Sequence, residues 1–536
     1  MQRAILPLAM YSGFVSLSFE LVWARLFGMQ TSSRAFAFPL SLGLFLLGLA
    51  LGARWAQRYC TKHPEPGPRH FRSIALLIIG AGLFGWISVP LFGWAVRLFG
   101  EAALVINLYM ICFGASLFGS LFPLLAHYGI KSNESVGAHI SYLYISNIIG
   151  SVAGSLLTGF VFFHHFPLSM ITVGLGMVSL TVGGLVYMSA EGSDRLKASA
   201  GIVLGAVVLV ATHGVLFSSV YQHINKLEHP AKHVFESRGG VIVVDKDDVV
   251  TSGGTYDGKF STDLIDDTNG IIRPYALSAF HPAPKKILCI GLASGSWAQV
   301  LVNHPQLEEL VIVEIEPNFI ELLRLYPDRA VLLDDPRVRL VVDDGRRWMT
   351  RSDEKFDAIV SNTTWNWRFM ASSLLSVEFM TLIKKHLKPG GIVLYNTTDS
   401  PKAVKTGMEN FEHVYGLSNN IVGSMDPIDL SSERLRKTLL DYKEGGKPVF
   451  DPKNPAHMAR LDEIIENFEN PGHPCSFVYT REALEKHVGE TEAITDSNMG
   501  SEWDATSLRV IIDEPKRTLL WHEHIEGRCP GGFPEK

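Results

Sequence analysis

Cysteine is sparse in this chain and carries no pattern: the five in 536 residues, Cys60, Cys112, Cys289, Cys475 and Cys529, include no C-x-x-C pair. Neither a zinc site nor a disulfide framework is indicated. No basic stripe runs along the sequence and the net charge is −6, so a nucleic-acid partner is not expected. Charge of either sign is missing from long stretches of the first 220 residues, which excludes a wholly soluble chain. The mean hydropathy of +0.17 and the 47% of hydrophobic residues reflect this unevenness, with nearly all the apolar excess before about residue 220 and most acids after it. The length leaves room for two or three domains.

What is present before residue 220 is a series of apolar runs, each of about 20 residues, the length that crosses a bilayer as a helix. They are Ile5 to Phe27, Ala35 to Ala53, Ser73 to Leu98, Ala102 to Tyr128, Gly137 to Phe163, Pro167 to Met188 and Ala200 to Val220. The expectation is an integral, multi-pass helical bundle over 1–220 with the lipid bilayer as its partner. The first run has no small-residue cleavage pattern and is read as a span. Gly150-x-x-x-Gly154, flanked by Ser151 and Ser155, offers a face for close helix approach, with a substrate path as the alternative. Glu20 is an ionisable group inside a span, expected either to function or to bond to Tyr11, Asn147 or His139. Arg25, near its span end, is expected to snorkel, and His164-His165 reads as a solvated pair.

Orientation is contested within the sequence itself. Arg54, Arg58, Lys62, Arg69 and Arg72 surround the second connection, which the positive-inside rule makes cytoplasmic. Five further crossings then put whatever follows outside. The run Ala200 to Val220, with Thr212 and His213, is the one that could instead lie at the interface or re-enter.

Residues 221–233 read as a polar linker. Val234 to Val250 and Thr255 to Phe260 read as short strands turning at Gly239-Gly240 and Gly253-Gly254, a small β-unit over 234–275. The apolar strand Lys286 to Ile290 then runs into Gly291-Leu292-Ala293-Ser294-Gly295-Ser296, with a helix expected from Trp297 to Val302. A second strand, Leu310 to Val313, ends at Glu314, about 20 residues after the first glycine, where an acid can accept ribose hydroxyl protons. A third, Val338 to Val342, ends at Asp343-Asp344-Gly345. Ligands sit at such strand ends. The turn is G-x-x-x-G and no cation follows it to grip phosphate, so a nucleoside such as S-adenosylmethionine fits better than a dinucleotide.

These motifs resemble the spermidine synthases, the polyamine aminopropyltransferases. The run His281-Pro282-Ala283-Pro284-Lys285-Lys286-Ile287-Leu288-Cys289-Ile290-Gly291 is similar to that family's lead into its nucleoside loop. His304-Pro305, Val313-Glu314-Ile315-Glu316, Asp344-Gly345, Phe356-Asp357-Ala358-Ile359-Val360 and Leu387-Lys388-Pro389-Gly390-Gly391 extend the likeness, and Tyr256-Asp257-Gly258 resembles its N-terminal β-unit. The likeness covers roughly residues 235 to 400. It implies a Rossmann-like α/β domain of the class I methyltransferase and spermidine synthase type, with a core over 276–400 and an elaboration over 401–536. It also implies decarboxylated S-adenosylmethionine or S-adenosylmethionine as co-substrate, no metal, an amine or polyamine acceptor, and a homodimer. A catalytic unit of this kind belongs in the cytoplasm, on the inner membrane if the cell is bacterial. Gly291, Ser294, Gly295, Glu314, Asp343 and Asp344 would hold the nucleoside, Glu314 at the ribose and Asp344 at the adenine.

Two departures bear on the chemistry. The family's loop after the fourth strand carries D-x-x-D, whose second acid is the usual base; here Asn362 and Trp365 take those positions in Ser361-Asn362-Thr363-Thr364-Trp365-Asn366-Trp367. The family's nucleoside loop Gly-Gly-Gly-Asp-Gly-Gly has Ser294 in place of its Asp. Asn362, Thr363, Thr364 and Asp257 are therefore the candidate catalytic set, with Asp257 the amine ligand, Asp257-Gly258 as a plain turn the alternative, and Asp399 or Asp496 in reserve. Three functions stay open: aminopropyl or alkyl transfer, amine methylation with Trp365 as an aromatic seat, and a non-catalytic sensor or transporter. In the last, Trp365 and Trp367 plug a degenerate pocket.

Overall fold

The computed structural model describes residues 4–503 except 131–134, 191–193, 363, 364, 399, 472, 474 and 475. The chain divides into two units, residues 1–247 with 252–255, and residues 248–251 with 256 onward.

The first unit is built on seven long helices: α1 (Ile5–Gln30), α2 (Ala37–Lys62), α3 (Pro68–Phe99), α4 (Ala103–Gly129), α5 (Val136–Leu156), α6 (Leu168–Ser189) and α7 (Arg195–Phe217). A widened turn, Leu157–Phe162, and a last turn, Phe163–His165, prolong α5. Six segments are long and apolar enough to cross a membrane, and the longest, Pro68–Gly129 with 62 residues, is α3 and α4 together. It folds back at Gly100–Ala102, where Gly100 takes φ +55°. Phe84 then lies against Phe113 at 5.0 Å, and Asn107 donates to the Phe92 carbonyl at 3.4 Å, an antiparallel pairing. Seven long helices result.

Small residues set the packing. Ser146 donates to the Leu6 carbonyl, Asn147 to that of Ala9 and Thr158 to Ser18, so α1 and α5 run parallel. A Cβ on Gly150 would overlap the Met10 carbonyl, and one on Gly154 that of Phe14. The glycine face of α5 is thus filled by α1 and offers no open path. The seventh helix is continuous over 23 residues and meets α6 through Ile202 at Gly184, Leu180 at Gly205 and Leu209 at Gly176. Thr212 and His213, which raised the other reading, bond to the carbonyls of Val208 and Val210 within the helix.

Of the two ionisable residues in the first helix, Arg25 departs from expectation. Arg25 does not snorkel: its Nη2 donates to the carbonyls of Ser237 and Gly240 at 2.6 Å each, and its guanidinium lies 4.5 Å above the Phe163 ring. Glu20 is 7% exposed. None of its expected partners serves it, because Tyr11 bonds to Ser179, Asn147 to Ala9 and His139 to Ser135.

Four short strands follow, β1 (His233–Glu236), β2 (Val241–Val244), β3 (Val249–Ser252) and β4 (Thr255–Lys259), in sheet order β1-β2-β3-β4. The division between the two units falls within this sheet.

The second unit is organised by β5 (Lys286–Ile290), β6 (Glu309–Glu314), β7 (Val338–Val342), β8 (Phe356–Ser361), β9 (Leu387–Asn396), β10 (His413–Leu417) and β11 (Asn420–Ser424). A two-residue hairpin, β12 (Lys443–Glu444) with β13 (Lys447–Pro448), stands apart, and β14 (Val478–Tyr479) closes the main sheet. The order is β14-β10-β11-β9-β8-β5-β6-β7, parallel from β7 through β9 and antiparallel beyond. The apolar runs Ile287–Ile290, Leu310–Val313 and Ala358–Val360 are buried, as strands covered on both faces must be. Strand order reverses between β5 and β8, and a ligand crevice opens at the carboxyl ends on either side of such a reversal. The C-terminal elaboration carries two helices, Ser432–Asp441 and Pro455–Glu469.

The α1–α5 contact predicts that Gly150→Leu lowers stability by about 1–3 kcal/mol through overpacking. Gly174→Ala, where a Cβ meets nothing within 4 Å, stays near wild type. Thermal unfolding in detergent measures both, and equal midpoints would mean that these helices do not pack as described.

Candidate active site

The crevice is built on the turn after β5. Gly291 takes φ +89° and Gly295 φ +75°, and the turn closes through Gly291 N–H to the Val313 carbonyl and Gly295 N–H to that of Leu292. A Cβ on Gly291 would stand 2.9 Å from the Asn362 carbonyl, so glycine is what lets the β8 loop approach. Ala293 is held at φ +49°. That region costs a residue with a Cβ about 1–2 kcal/mol, strain that the surrounding hydrogen bonds must offset.

Glu314 is the centre of the cradle. It is 4% exposed, and its carboxylate accepts Leu292 N–H at 2.6 Å and Glu316 N–H at 2.7 Å, with Ala293 N–H adding to them. Burial pushes its pKa up to about 6; the three amides work against this, and the nearby charge of Asp257 adds a little to it. A carboxylate offers about four lone-pair positions. With three amides on it, a ribose finds one position ready, so accepting both hydroxyls means displacing an amide.

The next strand end is less available than its sequence implies. Asp344 caps the following helix, Gly345–Arg351, by accepting Arg347 N–H at 2.7 Å, and Asp343 accepts Arg347 Nε at 2.6 Å. Asp343 N–H in turn donates to the Glu314 carbonyl at 3.1 Å, tying the two strand ends together.

Strand β4 crosses the turn. Gly258 takes φ +126°, and a Cβ there would lie 2.8 Å from Ser294 Oγ. Ser294 is 4% exposed and donates to Ser296, whose own hydroxyl donates to the Lys259 carbonyl at 2.6 Å. The small hydroxyl therefore fits where β4 lies closest. Asp257 is on the strand itself, so the reading of Asp257-Gly258 as a plain turn does not hold.

Asp257 does not wait open for an amine. Arg368 Nη1 lies 3.2 Å from both of its oxygens, and the two side chains are 19% and 12% exposed for Arg368 and Asp257 respectively. Arg368 escaped the sequence reading. It is the one cation between Asn362 and Met370, a signal that a charge count of that loop would have caught. Asn362 itself is fixed by its N–H on the Ile290 carbonyl, while Thr363 and Thr364 lie outside the described residues, as does Asp399. Trp365 donates to the Tyr256 carbonyl at 3.1 Å and stacks on Trp367 at 5.7 Å. Asn366 donates to Thr398 at 2.8 Å and accepts Ser501 Oγ at 2.6 Å.

Residues near the chain's far end brace this loop. Glu502, fully buried, accepts the N–H groups of Met370 and Ser372 at 2.9 and 2.8 Å. Asp496 pairs with Arg346 at 2.7 and 2.6 Å, and Arg346 also donates to the Ser373 carbonyl. Asp496 is thus a strut, held away from duty as a base by its own ion pair. Ser361 Oγ, at the end of β8, is buried without a hydrogen-bond partner among the described residues. The glycine cradle, the buried acid and this orphan hydroxyl suit a polar ligand at the strand ends.

Residues 276–419 match the family described as the spermine/spermidine synthase domain. A polyamine aminopropyltransferase of Streptococcus pneumoniae is 38% identical over 118 residues, which are 22% of this chain and 41% of that protein. Another, from Oceanobacillus iheyensis, is 22% identical over 406 residues, 72% of this chain and 76% of that one, a stretch too long to exclude the helices. A spermidine synthase structure from Thermotoga maritima aligns with 49% of this chain and 88% of its own at 20% identity, with a TM-score of 0.34.

A ribose held by the Glu314 carboxylate predicts methylthioadenosine affinity flat above pH 6 and falling toward tenfold per unit below it, as calorimetry would show. A buried acid with a raised pKa contributes stability in its protonated form. The folded protein should accordingly gain about 2 kcal/mol as pH falls from 6 to 4.5 and lose it on the way back up. In Glu314→Gln the affinity should be weak and independent of pH across that window, and a pH step that survives this change would assign the titration elsewhere.

Proposed function

We propose, from the premise that residues 276–419 are a spermine/spermidine synthase domain, that this chain is a membrane-bound transferase. It moves an aminopropyl or other alkyl group from decarboxylated S-adenosylmethionine or S-adenosylmethionine to an amine acceptor such as a polyamine. The observation that carries the reading is the Glu314 cradle beneath β4, a buried carboxylate held by the nucleoside turn at the reversal of strand order. The amine lone pair attacks the carbon next to sulfur, the carbon–sulfur bond breaks with its electrons on sulfur, and the nitrogen's proton passes to solvent or a carboxylate. Holding the two reactants in line accounts for most of the acceleration expected, several kcal/mol. Asp257 lies on the strand that crosses the nucleoside turn, and its pairing with Arg368 makes it a ligand for charge more than a base.

Two other readings each have an observation in their favour. The stacked faces of Trp365 and Trp367 suit the cationic product of an amine methyltransferase. The neutral Ser294, Asn362 and Trp365, with an Asp257 already paired, suit a non-catalytic sensor or transporter.

The bundle is read as the membrane anchor and the α/β unit as cytoplasmic, where its donor is made. Seven passes set the α2–α3 connection, with Arg54, Arg58, Lys62, Arg69 and Arg72, at the end opposite the one where the chain leaves α7. Supply of the donor is here taken to outweigh the positive-inside rule.

Incubated with each donor and a panel of amines, the purified protein should release methylthioadenosine. Adenosylhomocysteine instead would make it a methyltransferase, and neither product with any amine would leave the sensor. In intact cells, and in a background without the native cysteines, Glu65→Cys should react with an impermeant maleimide and Asp441→Cys should not. The reverse pattern puts the α/β unit outside and removes the proposed donor.

A further inference from the structure

The charge at the mouth of the site bears on which donor fits, and this rests on the nucleoside reading above. Three positions where the aminopropyltransferases resembled here carry acids are neutral, Ser294, Asn362 and Trp365, and the loop of Asn362 and Trp365 also carries the guanidinium of Arg368. That guanidinium meets Asp257 through Nη1, 3.2 Å from each carboxylate oxygen, with both side chains largely shielded. The pair stands beside the nucleoside cradle: Trp365, on the Arg368 loop, donates to the carbonyl of Tyr256, and Gly258 packs on Ser294 of the nucleoside turn. Asp257 is also near enough to Glu314 for its charge to bear on that acid's titration.

An ion pair fixed side by side has a natural complement, a zwitterion with its charges in the opposite order. Decarboxylated S-adenosylmethionine ends in an ammonium alone, and beside Arg368 it would face a like charge with one carboxylate, already shared, to compensate. S-adenosylmethionine ends in an α-amino and an α-carboxylate group, which can meet Asp257 and Arg368 respectively, each bond charge-assisted. We propose that Asp257 and Arg368 form a subsite for an α-amino acid head, and that the donor for this chain retains its carboxylate. If the amine attacks the γ-carbon, the carbon–sulfur bond breaks toward sulfur, releasing methylthioadenosine and leaving a 3-amino-3-carboxypropyl group on nitrogen, with one proton lost. Attack at the methyl carbon releases adenosylhomocysteine by the same balance.

Calorimetry on the full chain in detergent, with methylthioadenosine, S-adenosylmethionine and its decarboxylated form, tests this. The wild type should bind S-adenosylmethionine at least tenfold more tightly than the decarboxylated form. Arg368→Gln should bring that ratio to one or below, and Arg368→Lys should keep part of it. Preference of the wild type for the decarboxylated donor overturns the subsite, and so does a ratio that Arg368→Gln leaves unchanged. Because the first measurement uses the unaltered protein, it stands even if the variants do not fold. Methylthioadenosine, which has no head group, separates the two readings: its binding with no preference between donors sinks only the subsite, and its failure to bind sinks the nucleoside reading and this inference together.

Discussion

A carboxylate placed out of water at the end of a strand is the constraint around which the α/β unit is arranged. Glu314 would be costly to bury alone. The backbone meets that cost by turning the amides of Leu292 and Glu316 onto its two oxygens, which fixes the nucleoside turn against β6. The Asp343 amide on the Glu314 carbonyl draws in the end of β7 as well. The sheet's own register aligns these ends, because Ile290 pairs with Val313 on one side and with Ser361 on the other. What remains is an acid whose pKa burial raises to about 6.

Around that acid two segments pack closely. β4 comes so close to the turn that Gly258 is needed and Ser294 is tightly confined. Across from it, the β8 loop is held by Trp365 on the Tyr256 carbonyl and by Glu502 on the amides of Met370 and Ser372. Such bracing restrains where Arg368 can reach, and an ion pair with Asp257 is the result.

The helical unit follows a different logic. Apolar surface does not by itself hold helices together in lipid, so close backbone approach at small residues takes that role. Gly150 and Gly154 against α1, and Gly48 and Gly52 against α4, are such approaches. Arg25 supplies the polar counterpart, gathering the turn between β1 and β2 through two carbonyls.

Much of this was legible in the chain because it depends on neighbours in sequence. Seven apolar runs, the alternation around Gly239-Gly240, the ends of β5 to β8 and the acid at Glu314 are properties of run length, period and turn composition, and each needs only a short window to be seen. What the tertiary structure alone decided is how distant side chains spend their charges. Asp257 and Arg368 lie 111 positions apart, and Asp496 and Arg346 lie 150 apart; nothing local marks them as partners. The sequence therefore determined the glycine turn after β5 and the acid at Glu314. Only the folding of β4 and the far C-terminal segment onto the β8 loop decided which acids beside it are already spoken for, since that depends on distances in space that spacing along the chain does not encode.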